Sequence, residues 1–318
     1  MRKQNNVNQK NFILTGSDGG MVFTLATAIP LVVSVIYSVI LISSGLYGNE
    51  EFISSPLYSY LSFGLSSLSL FFVLIYLVKK HSLDFRQSIK LNGCDKKYFF
   101  LAIALSFCAL FGLGWINDLF VNFLRSIGFT VTETVLPKNN ALDYILCVII
   151  VCVLPAFFEE TIFRGLLLNG ARRAGHTFAV ICCGLLFSLF HKSPAQTIYQ
   201  FILGATFTLL TLRSGSIIPA MLFHFINNFY VVTSYFLMPE GYSFDVAVQI
   251  VLCVLGVILF AVLLLYLLFK CKNPKKDLDL DADYNENLLD KKSEKKYFLI
   301  FAIPGIVACA IFWIIALF

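Results

Sequence analysis

The stretch VAVQIVLCVLGVILFAVLLLYLLF, residues 246–269, holds no charged side chain in 24 positions and a single amide, Gln249. As a helix it is about 36 Å long, enough to cross the roughly 30 Å hydrocarbon core of a bilayer. A helix that is apolar on every face has no wet side to present to water. Its solvent is lipid, where the backbone must satisfy its own hydrogen bonds and so coils into a helix.

The same reading extends outward along the chain. Runs near 21–42, 57–78, 98–116, 142–170, 177–192, 196–212, 217–236 and 297–318 are apolar enough to be read as further spans. Together they predict an all-α, polytopic integral membrane protein of about eight or nine transmembrane helices. With 58% of 318 residues hydrophobic and 14% charged, the composition suits a chain whose surface faces lipid. The expected organisation is a polar tail and three helices over 1–141, a four-helix core over 142–236, and two helices over 237–318. A charged cytoplasmic linker at 270–296 joins the last two helices.

The polar start, MRKQNNVNQK, lacks the charged-then-apolar pattern of a cleaved signal peptide, so the first run is read as a retained helix. The nine cysteines lie mostly in apolar runs without CxxC pairs, which makes them packing residues and not a disulfide or metal framework. The linker's DLDLDADYNENLLD lacks the glycine and terminal glutamate of a calcium loop.

Charge orients the chain. With the N-terminus cytoplasmic, twenty of the 24 Lys and Arg residues fall on the inside, and only Arg125, Lys138 and Lys192 fall outside. The net charge of +5 therefore reports topology in a cell membrane and not a nucleic-acid surface.

In lipid the informative residues are the ionisable ones, because each costs at least about 2.5 kcal/mol at the bilayer centre unless it is paired or hydrated. They are few here: Glu159, Glu160 and Arg164 in the fourth run, His191 ending the fifth, and His224 with Asn227 and Asn228 in the seventh. Counted from the turn near Arg172–His176, Glu159 lies about 18 Å deep and His191 about 21 Å on the next helix. His224 and Asn228 lie about 12 and 18 Å from the same side. One buried cavity accommodates all four.

Spacing assigns partners. Glu160 and Arg164 are four apart and neutralise each other on one helix face, while Glu159 is turned about 100° away and left without that partner. His224 and Asn228 are also i,i+4 and project together. A free carboxylate opposite two histidines and an amide is a hydrolytic constellation. Pro155, four residues before Glu159, removes a backbone donor and kinks the helix beside the carboxylate. Phe187 reads as packing, and Asn227 as a helix-to-helix hydrogen bonder.

These residues resemble the CPBP intramembrane proteases, the family of CAAX prenyl endopeptidases and bacterial Abi proteins. Its motifs EExxxR, FxxxH and HxxxN read here as EETIFR (Glu159, Glu160, Arg164), FSLFH (Phe187, His191) and HFINN (His224, Asn228), in order, within about residues 142–236. The resemblance implies an endopeptidase in which Glu159 activates water, His191 helps hold it, and His224 and Asn228 stabilise the oxyanion. Glu160 and Arg164 become structural support.

No cofactor is required in this reading. Zinc is the alternative, with Glu159, His191 and His224 as its ligands; the missing HExxH pairing and the amide of Asn228 argue for the metal-independent form. The expected partners are membrane lipid and a membrane-associated or amphipathic peptide, with CAAX processing or bacteriocin and signal-peptide processing as the branches of the family. A chain rich in Lys, Asn, Ile and Phe fits a bacterial source. The rival functions are a non-enzymatic scaffold or self-immunity factor and a proton-coupled transporter; against the latter, no inverted hydropathy repeat is visible.

Overall fold

The computed structural model describes residues 14–81, 89–131, 135–239, 244–271 and 290–318. Arg2, Lys3, Lys10 and most of the 270–296 linker lie outside the described residues. Within them every regular element is helical and no strand occurs, so the all-α polytopic class expected from hydropathy holds.

The elements run α1 (Gly16–Ser43), α2 (Glu50–Ile53), α3 (Pro56–His81), α4 (Lys97–Gly112) and α5 (Gly114–Ser126). A long helix, α6 (Ala141–Ala174), follows, and then α7 (His176–Phe190), α8 (Thr197–Ser214), α9 (Ile218–Leu237), α10 (Val246–Phe269) and α11 (Lys291–Ile315). In α10 only Gly256, Phe260 and Leu267 are buried, and most of its other apolar side chains are exposed, as a lipid-facing helix requires.

The expected count of eight or nine spans is corrected downward. Among the described residues six helices are long and apolar enough to cross a membrane, or seven if α4 and α5, bent by 40° at Leu113, form one span. Helix α7 has 15 residues, about 22 Å, which is short of the hydrocarbon thickness. Helix α9 has the length, at 20 residues, but His224, Asn227 and Asn228 dilute its hydropathy. Both shortfalls fall on helices that carry the candidate site residues.

Helix α6 departs from ideal geometry twice. Val148–Val153 and Thr161–Leu167 are π-helical, and they bracket the ordinary turn Leu154–Glu160 that carries Pro155 and the two glutamates. Wide turns of this kind concentrate at functional sites.

Helix α11 lies along α1 in the most extensive helix pair of the molecule. Small residues permit the approach: a Cβ on Gly20 would collide with the backbone carbonyl of Phe298. At one end of the seam, Glu294 Oε1 accepts from Arg173 Nε and Nη2, both at 2.7 Å, and its Oε2 accepts from the Gly16 amide at 2.5 Å. One carboxylate thereby ties the start of α11 to the start of α1 and to the last turn of α6.

Candidate active site

Glu160 and Arg164 are both fully buried in α6. Arg164 Nη1 donates to Glu160 Oε1 at 2.9 Å, the i,i+4 pair expected from spacing, and Nη2 donates to the Gly204 carbonyl at 3.0 Å. That second bond depends on α7 and α8 crossing closely: a Cβ on Gly204 would sit 3.1 Å from the Cα of Gly184 and 3.0 Å from the Phe187 side chain. The guanidinium also lies over the rings of Phe187, Phe207 and Phe163, at 4.3, 5.0 and 5.6 Å. A cation taken out of water thus receives an anion, a carbonyl and three π faces.

Spacing alone did not show that Glu160 serves a second partner. His224 Nδ1 lies 2.9 Å from the same Glu160 Oε1, and since a carboxylate only accepts, Nδ1 carries the proton and donates. Phe207 stacks on the His224 ring at 5.6 Å with 21° between planes. Glu160 is therefore the junction between α6 and α9, and it leaves Nε2 as the nitrogen of His224 with chemistry to offer.

His191 caps the end of α7, and its Nδ1 lies 2.8 Å from the Phe187 carbonyl. The carbonyl must accept, so Nδ1 is protonated and Nε2 carries the lone pair. Phe187, fully buried, stands edge-on to His191 at 4.8 Å and to His224 at 5.8 Å. It packs, as expected, and in doing so it forms the common wall of both histidines.

Asn228 is held by α6. Its Nδ2 donates to the Val151 carbonyl at 3.0 Å. Val151 lies in the π-helical turn that precedes Pro155, so the side chain of α9 docks on the α6 backbone where its i,i+4 ladder is already broken. Asn227 Nδ2 donates to Asn228 Oδ1 at 3.3 Å and Tyr199 Oη to Asn227 Oδ1 at 2.6 Å. Asn227 is the helix-to-helix hydrogen bonder expected of it. Tyr199 was missed, since a lone phenol at the start of an apolar run carries no spacing signal.

Glu159 stands apart from this network. Its Oε2 is buried and has no hydrogen-bond partner among the described residues. Among the described residues no three His, Cys, Asp or Glu side chains stand together as a group that could hold a metal ion. Glu159, His191 and His224 therefore do not form a ready ligand set.

No curated protein and no solved structure matches the chain. Residues 141–230, somewhat less than a third of the chain, match the family model described as Type II CAAX prenyl endopeptidase Rce1-like. Those residues include α6 from its start and reach past Asn228, and over that segment the chain is similar to the Rce1-like CAAX proteases.

Proposed function

We propose that the protein is an intramembrane endopeptidase in which Glu159 is the general base that activates water. The observation that carries this reading is the contrast between two adjacent carboxylates, each with a buried and unpartnered Oε2: Glu160 is held through Oε1 by Arg164 and His224, whereas among the described residues no ion pair or hydrogen bond of that kind holds Glu159. A buried carboxylate kept free of protein partners is available to a water molecule, and intramembrane carboxylates are functional by default.

Glu159 takes one proton from water while the oxygen attacks the peptide carbonyl, and His191 Nε2 accepts a hydrogen bond from the same water. The oxyanion receives hydrogen bonds from the second N–H of Asn228 Nδ2 and, when that nitrogen is protonated, from His224 Nε2. Collapse of the tetrahedral intermediate breaks the C–N bond, and the proton held by Glu159 passes to the leaving amine. The products are a carboxylate and an amine, with water consumed. No step passes through a metal.

The segment's family points to CAAX-type substrates, peptides carried to the membrane by a lipid or an amphipathic helix. The surplus of Lys and Arg on one side supports a cytoplasmic N-terminus and cleavage on that side of the bilayer centre.

The test is peptide cleavage in liposomes by wild type and Glu159→Gln, each with and without a strong zinc chelator. Chelator-resistant wild-type activity lost in the variant supports the glutamate reading. Chelator-sensitive activity restored by zinc replaces it with a metal site, and a folded wild type that cleaves no peptide in a broad library of membrane peptides moves the protein to the scaffold class.

A further inference from the structure

The turn that follows His191 is held from outside the family segment. Lys192 adopts φ +52, a left-handed conformation that is unfavourable for a non-glycine residue and persists where its surroundings impose it. Within the turn, Ser188 Oγ donates to the Thr197 carbonyl at 2.7 Å and Thr197 Oγ1 donates to the Ser193 carbonyl at 3.2 Å. These bonds close the loop between α7 and α8, and the same Thr197 hydroxyl accepts from Trp313 Nε1 at 2.8 Å. Phe312, the neighbour of Trp313, lies 5.9 Å from the Lys192 ammonium, which sits at the same distance from Phe190.

Two adjacent residues of α11 thus grip two points of the loop that begins immediately after His191. Helix α11 is itself fixed, by Glu294 at its start and by its close seam with α1. The last helix is a strut whose foot is tied at Arg173 and whose head bears on the site.

We propose that Trp313 is a positioning residue for His191. By donating to Thr197, its indole N–H fixes the 192–197 turn, and the turn fixes the cap at which His191 donates from Nδ1 to the Phe187 carbonyl. The orientation of His191 Nε2, and so the placing of the water it holds, depends on this contact. The inference rests on the reading above in which His191 acts on water, but its structural half has an independent readout.

The experiment uses the full chain in detergent micelles or liposomes. Trp313→Phe keeps the ring and deletes the donor, and Thr197→Val deletes the acceptor at constant shape. Small misplacements of a catalytic group cost up to about a hundredfold in rate, so kcat is expected to fall between about tenfold and a hundredfold in each variant, with KM and thermal stability near wild type. The double variant is expected to be no slower than the slower single one. In parallel, nitrogen NMR of histidine-labelled protein reads the His191 Nδ1–H, whose signal shifts or broadens in Trp313→Phe.

A wild-type kcat with an unchanged His191 signal overturns the proposal, as does a raised KM at constant kcat, which makes Trp313 a substrate wall. If His191→Ala retains full activity, the catalytic reading has failed instead, and the His191 signal alone then decides whether Trp313 positions that residue.

Discussion

Replacing Glu160 with glutamine is expected to damage the fold, while the same change one residue earlier is not. Glu160 Oε1 faces a fully buried guanidinium and accepts from His224. Removing one partner of a buried ion pair costs about 3–5 kcal/mol because it strands the other charge. Glutamine retains an acceptor oxygen, which places Glu160→Gln near the lower end, about 3 kcal/mol or a factor on the order of 100 in the folding equilibrium. Glu159 makes no comparable contact, and neutralising a buried, unpartnered carboxylate removes a burial cost. Glu159→Gln is expected to stay within about 1 kcal/mol of wild type or to exceed it.

The assay is unfolding in mixed micelles with increasing dodecyl sulfate, followed by tryptophan fluorescence; the chain has two tryptophans, Trp115 and Trp313. A Glu160→Gln protein that unfolds with wild type, or a Glu159→Gln protein that loses as much, would show that the two carboxylates have been assigned the wrong way round.

Three further outcomes follow from the same contacts. Asn228→Leu leaves the Val151 carbonyl without its donor; it is expected to cost about 1–3 kcal/mol in the same unfolding assay and to abolish cleavage, whereas a purely chemical role for Asn228 would leave stability untouched. Tyr199→Phe removes the bond to Asn227, with an expected loss of about 1 kcal/mol and a slower kcat; unchanged kinetics would mean that Asn228 needs no such support. Gly20→Val forces α1 and α11 apart at the Phe298 carbonyl and is expected to lower thermal stability by about 1–3 kcal/mol or more, measured against the lipid-facing control Val35→Leu.

What could be read from the sequence followed the range of each signal. Lipid-facing apolar runs gave the fold class because hydropathy is a sum over many residues and survives local error. Intrahelical pairs were equally legible, since i,i+4 spacing fixes Glu160 beside Arg164 whatever the tertiary packing. Contacts between helices were not. That His224 donates to Glu160, that Asn228 donates to the Val151 carbonyl, and that Trp313 reaches Thr197 all depend on crossing angles that no spacing encodes. The span count failed for a related reason: α7 is short and α9 is diluted by its own polar residues, so the two helices that bring the histidines resemble membrane spans less than α6, which carries Glu159.

The two π-helical turns of α6 have a consequence for how this segment varies between species. A π turn holds one residue more than the α turn it replaces, so losing a residue inside Val148–Val153 can be absorbed by tightening the turn, and Leu154–Glu160 keeps its facing. The same loss inside Leu154–Glu160 would swing Glu159 about 100° around the axis. Homologous chains should therefore align with single-residue gaps in the wide turns and with none between them, and an alignment that places a gap next to Glu159 has misread the register.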